Sequence, residues 1–138
     1  MDVAQIERFL DEQFPQARAL GASLKSVGGG KATLHIDADD RHLRPGGTVS
    51  GPTLMTLADT GAYLALLAEI GPVALAVTTS LTIHFMRKPP PGRIVTEAEI
   101  LKLGRRLAVI QVTISAPNVD GPVAHATVTY AIPPRERD

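Results

Sequence analysis

One carboxylate inside an apolar helical segment is the feature that most constrains this chain. Small and apolar residues recur at helical spacing over residues 52–70, so most of this helix must contact protein rather than water. Asp59 is the only acidic residue of the segment before Glu69. Thr56 precedes it by three positions and Tyr63 follows it by four, which places the three side chains on one polar stripe. Such a stripe faces a ligand cleft, or it is solvated or bonded to a neighbouring strand.

Composition limits the classes of protein that the chain can represent. Its 138 residues, 44% hydrophobic and 20% charged, predict a single domain over 1–138. Fourteen basic and fourteen acidic residues cancel, which argues against nucleic-acid or membrane partners. The absence of cysteine excludes disulfides, thiolate metal sites and a cysteine nucleophile. Four dispersed histidines argue against a metal site. Without a signal-peptide pattern or an apolar run of membrane-spanning length, we expect a cytoplasmic protein.

Hydrophobic periodicity and turn residues predict the order of the elements. An amphipathic helix occupies residues 1–16 and stops at Pro15, and two strands over 20–27 and 31–38 form a hairpin about three glycines. The apolar helix over 52–70 follows. Four further strands are predicted over 74–86, 94–103, 107–115 and 123–132.

This order of elements predicts an α+β fold in which one curved antiparallel sheet wraps around a long central helix. Strands that are adjacent in sequence usually lie side by side, and short connections make them antiparallel. The Ala, Gly and Thr residues of the central helix allow the sheet to approach closely. A single sheet leaves edges uncovered, so we expect a homodimer that extends the sheet or buries its edge. Two subunits could then share one cleft.

Several motifs resemble those of one known family, the hotdog-fold acyl-CoA thioesterases of the phenylacetate-degradation (PaaI-like) branch. The resemblance runs from about residue 20 to 132. It is carried by His-Leu-Arg-Pro-Gly-Gly-Thr-Val-Ser-Gly-Pro at 42–52 and by Leu-Ala-Asp-Thr at 57–60. It continues through the strand sequences at 80–87, 104–108 and 124–127. The resemblance implies the hotdog fold.

The resemblance also implies roles for individual residues. Asp59 would be the catalytic carboxylate, either as nucleophile or as general base for water. The Gly51 amide would polarise the thioester carbonyl, because a helix start presents unpaired N–H groups to a developing oxyanion. Thr78 corresponds to a hydroxyl that places water in some relatives, and an ordinary strand threonine is the alternative. In hotdog dimers the glycine and the carboxylate of one cleft usually come from different subunits.

The implied substrate is a small, medium-chain or aromatic acyl-CoA, with coenzyme A as part of the substrate and no separate cofactor. We expect the acyl pocket to include Leu54, Met55 and Tyr63. Cations at the ends of two predicted strands could gather the phosphates of coenzyme A at the dimer edge. These cations are Arg87, Lys88, Arg105 and Arg106. A homodimer, further paired into a dimer of dimers, is the expected assembly.

Three residues depart from the family pattern in the loop before the central helix. Arg44 replaces the usual Asn, and its long cation could pair with Asp59 or with a ligand phosphate. Ser50 replaces His and is suited to cap the helix. Pro52 replaces the second Gly and removes one backbone donor, while Gly51 keeps its own. All three belong to the predicted substrate-binding set.

Two alternatives to hydrolysis follow from these departures and from the fold. The chain could bind acyl-CoA or an acyl carrier without catalysis, after losing the Asn and His positions. Hydration or dehydration of an acyl-CoA is the weaker alternative, because relatives of that class generally pair the Asp with a His near the central helix. No histidine lies in that segment here.

Overall fold

The computed structural model describes residues 1–134, and the last four residues of the predicted domain lie outside the described residues. It contains two α-helices, two short 3-10 helices and one six-stranded sheet. The α-helices are α1 (Val3–Gln13) and α2 (Gly51–Ile70), and the 3-10 helices cover Pro15–Leu20 and Asp40–His42. The strands are β1 (Ser23–Gly28), β2 (Lys31–Ala38), β3 (Val77–Phe85), β4 (Gly92–Leu103), β5 (Leu107–Ser115) and β6 (Ala124–Ala131).

The N-terminal helix is shorter than the sequence predicts. Asp2 caps α1, and it exchanges hydrogen bonds with Gln5 in a capping box. The helix ends at Gln13, and the chain then turns through the 3-10 helix Pro15–Leu20. Proline at the start of this turn interrupts the α-helix, because it cannot donate the next main-chain hydrogen bond.

The strand order is β1-β2-β4-β5-β6-β3, and every neighbouring pair is antiparallel. The expectation that strands adjacent in sequence lie side by side is confirmed for β1–β2, β4–β5 and β5–β6. It is wrong for β3 and β4, because β4 pairs with β2 and β3 pairs with β6 at the opposite edge. The long helix between β2 and β3 carries the chain across the sheet, which leaves the place beside β2 free for β4.

Helix α2 lies against the concave face of this sheet, so the α+β hotdog fold is confirmed. Leu57, Leu66 and Leu67 of the helix are fully buried. The sheet comes close to the helix at Gly61, where an added Cβ would lie 3.1 Å from the Cγ2 of Thr96 and 3.2 Å from the Cδ2 of Leu34. Glycine at this position therefore lets β2 and β4 pack directly on the helix backbone.

One helix has the length and composition of a membrane span, contrary to the expectation from sequence. Helix α2 has 20 residues and a mean hydropathy of 1.2. More than half of it is buried inside the domain, against the sheet. Its apolar character is that of a core helix.

Candidate active site

The carboxylate of Asp59 receives hydrogen bonds from two strands of the sheet. The Thr78 hydroxyl on β3 donates to Oδ1 of Asp59 at 2.5 Å. The Tyr130 hydroxyl on β6 lies 2.8 Å from the same oxygen and 3.1 Å from the main-chain oxygen of Asp59. Both side-chain hydrogen bonds converge on Oδ1, and no donor to Oδ2 is found within residues 1–134. One oxygen is thus held by the protein while the other is left for a ligand or water.

Aromatic side chains pack around this carboxylate. The rings of Tyr63 and Tyr130 stack with their centroids 5.9 Å apart and an interplanar angle of 23°, and the Phe14 ring lies 6.1 Å from Tyr63. Burial raises the pKa of both tyrosine hydroxyls, so both remain protonated and act as donors. The Tyr63 hydroxyl donates to the main-chain oxygen of Ala74 at 3.3 Å, which fastens the α2–β3 connection to the helix.

A cavity of about 650 Å³ opens beside Asp59. The polar stripe predicted from sequence lies on its wall, because Thr56, Asp59 and Tyr63 all line it. Thr78 and Tyr130 close the sheet side. The opposite wall comes from the segment that follows α1, through Phe14, Gln16, Ala17, Ala19 and Leu20.

The cavity is also lined by Arg41 and His42, from the segment between β2 and α2. His42 is buried, and its Nδ1 accepts from the Asp39 amide at 3.0 Å while its Nε2 lies 3.2 Å from the main-chain oxygen of Leu20. Arg41 binds both carboxylate oxygens of Asp39 and lowers the pKa of that carboxyl. Over residues 1–134, no three His, Asp or Glu side chains come together as metal ligands.

The start of α2 has one backbone donor without a partner in the described chain. Ser50 caps the helix, as predicted, with its hydroxyl accepting from the Thr53 amide at 3.3 Å. Pro52 has no N–H, so the Gly51 amide is the remaining donor of the first turn. An added Cβ at Gly51 would lie 3.4 Å from the Phe85 ring. Gly51 and Asp59 of one chain are about 12 Å apart along the helix, too far to contact one carbonyl.

Three residues predicted to contact the substrate do not line this cavity. Leu54 is 2% exposed and belongs to the core, and Met55 is 42% exposed one turn before Asp59. Neither lines the cavity, so placing them in the acyl pocket of their own chain is wrong. Arg44 is exposed in a turn, where its amide donates to the main-chain oxygen of Thr48 at 2.9 Å, and it forms no ion pair with Asp59 in the described chain.

The four predicted phosphate-binding cations do not form one cluster within a chain. Arg87 donates to the main-chain oxygen of Pro122 at 2.7 Å, beyond the Phe85 end of β3, and Lys88 follows it there. Arg105 and Arg106 line a separate groove of about 600 Å³ before β5. Phe85, just before Arg87 and Lys88, pairs with Ala124 at the start of β6. Leu107, just after Arg105 and Arg106, pairs with Ala131 at the end of β6. The first two cations are therefore separated from the other two by the length of β6, about 24 Å.

Tyr130 is the site residue that the sequence did not reveal. Alternation along β6 places its side chain on the buried face with Ala126 and Val128, where an aromatic residue is ordinary core. The one available signal is that a buried phenol needs a hydrogen-bond partner. The sequence does not show that Asp59 is this partner, because the contact depends on the pairing of β6 with β3.

Comparison with known proteins shows the family of this chain. Residues 46–123 match the model of the Thioesterase superfamily. A solved structure from Silicibacter sp. TM1040, named "putative thioesterase", is 43% identical, with 97% of this chain and 93% of that chain covered and a TM-score of 0.87. A variant of the phenylacetic acid degradation protein PaaI from Thermus thermophilus is 28% identical over 86% of this chain and 98% of that one, with a TM-score of 0.76.

A further structure shares the fold. The PaaI protein of the E. coli phenylacetic acid degradation operon is 23% identical, covers 96% of this chain and 94% of its own length, and has a TM-score of 0.84. A search of curated proteins gives no match. The chain belongs to the Thioesterase superfamily, within which it is a PaaI-like hotdog protein.

Proposed function

We propose that this protein hydrolyses acyl-CoA thioesters. The observation that carries the proposal is the Asp59 carboxylate, which lies on a cavity wall with Oδ1 held by Thr78 and Tyr130. Membership of the Thioesterase superfamily supports the same reaction. A carboxylate held in this way can act as a general base or as a nucleophile at an ester carbonyl.

Two routes to hydrolysis use the same carboxylate. In the first, Oδ2 of Asp59 takes a proton from water, whose oxygen adds to the thioester carbonyl. In the second, Oδ2 adds to the carbonyl itself, and water hydrolyses the resulting anhydride. Each route breaks the bond between the carbonyl carbon and sulfur, and the thiolate of coenzyme A leaves and takes a proton. A backbone N–H that donates to the carbonyl oxygen would stabilise the developing negative charge.

We propose that the second copy of the chain supplies that backbone donor. Strand β3 is an edge strand, and if two β3 strands pair antiparallel over their whole length, Leu81 lies on the two-fold axis. Val77 then lies opposite Phe85 of the second copy. Because Phe85 packs on Gly51 and Thr78 binds Asp59, this pairing brings the Gly51 amide of one chain toward Asp59 of the other.

The same pairing supports a binding role for the predicted cations. It brings Arg87 and Lys88 of one chain toward the sheet end that carries Arg105 and Arg106 of the other. We propose that these four cations hold the coenzyme A phosphates. We keep three further residues as proposed substrate contacts: Arg44, Ser50 and Pro52. The proposed assembly is a dimer of dimers in the cytoplasm.

The cavity dimensions support a restricted acyl group. Its volume of about 650 Å³ is within the range of pockets for small ligands, and Phe14, Tyr63 and Tyr130 supply aromatic surface. Alanines from the 3-10 segment Pro15–Leu20 and from the α2–β3 connection leave space beside them. We propose small, medium-chain and aryl-acetyl groups as substrates, with long chains excluded.

Release of free thiol from short, medium, long and aryl-acetyl coenzyme A thioesters tests the reaction. Asp59→Asn should lower kcat about 10³-fold, because the amide can neither accept the proton nor attack the carbonyl. Glu97→Gln is the matched control, since it makes the same carboxylate-to-amide change on an exposed part of β4. Undiminished hydrolysis by Asp59→Asn would refute the mechanism. Binding of a non-hydrolysable analogue without turnover of any thioester would select the non-catalytic alternative.

Mixing two inactive variants tests the shared site. Gly51→Val should impair hydrolysis, because a side chain there presses on Phe85 and hinders close approach to the amide. Co-refolded with Asp59→Asn in equal amounts, it should recover about one quarter of wild-type activity, since each mixed dimer has one site free of both changes. A mixture no more active than its components would show that Gly51 and Asp59 act within one chain.

A further inference from the structure

The Tyr130 hydroxyl contacts Asp59, the proposed catalytic carboxylate, although no sequence motif indicates this contact. Its side chain is 3% exposed, and its hydroxyl reaches both Oδ1 and the main-chain oxygen of Asp59. Asp59 and Tyr130 are separated by 71 residues along the chain, so the contact depends on the sheet. Tyr130 also lies outside residues 46–123, the part that matches the superfamily model.

We propose that Tyr130 is a positioning residue that fixes the Asp59 carboxylate, so that Oδ2 is the oxygen that reacts. This inference rests on the proposed hydrolase function. With two donors on Oδ1, the lone pairs of that oxygen are occupied and the carboxylate cannot rotate without breaking both hydrogen bonds. Oδ2 keeps its lone pairs for a water proton or for the carbonyl carbon. Thr78 supplies the second donor from β3.

The surroundings of the carboxylate isolate the effect of the Tyr130 hydroxyl. The other phenol of the cluster, Tyr63, donates to Ala74 rather than to Asp59. Arg41 and His42 line the same cavity, but Arg41 is bound to Asp39 and the His42 ring is bonded on both nitrogens to the main chain. Loss of the Tyr130 hydroxyl should therefore leave Thr78 as the one side-chain donor to Oδ1 among the described residues.

The pair Tyr130→Phe and Tyr63→Phe gives a matched test. Each change removes one buried hydroxyl and keeps the ring, but only the first removes a hydrogen bond to Asp59. We expect Tyr130→Phe to lower kcat about tenfold with KM nearly unchanged. Tyr63→Phe, which alters the pocket wall, should change KM more than kcat. Thermal unfolding of both variants reports any general loss of stability.

A measurement independent of turnover separates this inference from the proposed function. The ¹³C carboxyl signal of Asp59, assigned by its disappearance in Asp59→Asn, can be recorded in the wild type and in both phenylalanine variants. A changed chemical shift in Tyr130→Phe alone, from loss of the hydrogen bond to Oδ1, supports the inference. An unchanged signal, or equal changes in both variants, overturns it even if the enzyme is active. Absence of hydrolysis by the wild type would instead refute the proposed function.

Discussion

The two edges of the sheet differ in length, charge and exposed apolar surface. Strand β1 has six residues and contains Lys25. Strand β3 has nine residues without a Lys, Arg, Asp or Glu. Its Val77 and Phe85 are 55% and 51% exposed. Short length and charge discourage strand addition, whereas a long uncharged edge favours it.

This difference supports β3 as the edge that pairs in the proposed dimer. The apolar surface at β3 continues into residues beyond both of its ends, because Leu75 is 76% exposed and Met86 is 50% exposed. The proposed site lies at the same edge, since Thr78 binds Asp59 from β3. Hydrolysis and dimerisation are therefore both proposed to depend on β3, whereas β1 is proposed to contribute only to the fold of the domain. Changes at the two edges should have unequal effects.

A charge on β3 should give the largest effect. Thr82→Lys places two lysines close to the proposed two-fold axis, and their repulsion should weaken the dimer at least tenfold. Hydrolysis should fall in parallel and recover as protein concentration rises. Sedimentation equilibrium and thiol release measure the two effects. Ser26→Lys makes a comparable change on the β1 edge and should alter neither, so equal dissociation by both variants would contradict the assignment of edges.

Removal of exposed apolar surface beyond β3 should give a smaller effect. Leu75→Ser should raise the dimer dissociation constant about fivefold, because less apolar surface leaves water on association. The stability of the monomer should change little, since the side chain is exposed. Leu101→Ser is the control, at a leucine that is 55% exposed on β4 away from this edge. A larger loss of dimer from the control would assign the interface to the β4–β5 hairpin.

Removal of the charge on β1 should give the smallest effect. Lys25→Val makes the protected edge more apolar, and weak extra self-association is expected only at high protein concentration. The dimer dissociation constant and kcat should keep their wild-type values. Light scattering over a concentration series measures the extra association. A tightly formed new dimer would show that Lys25 alone protects β1, and that its short length contributes little.

The candidate site was partly predictable because some of it is local. Helical spacing was enough to place Thr56, Asp59 and Tyr63 on one stripe, and the structure places that stripe on a cavity wall. Thr78 entered only through the family resemblance. Tyr130 was missed, and Leu54 was assigned to the pocket although it is core, because apolar periodicity does not tell which element a buried face meets.

The bounds of α2 and β5 were determined by the sequence itself. Helix α2 was predicted over 52–70 and covers Gly51–Ile70, and β5 was predicted over 107–115 and covers Leu107–Ser115. Turn residues and periodicity act over a few positions, so they can be recognised along the chain. The tertiary structure alone decided that β3 pairs with β6 and β4 with β2. Those pairings depend on how the sheet closes around α2, and they bring Thr78 and Tyr130 to the same oxygen of Asp59.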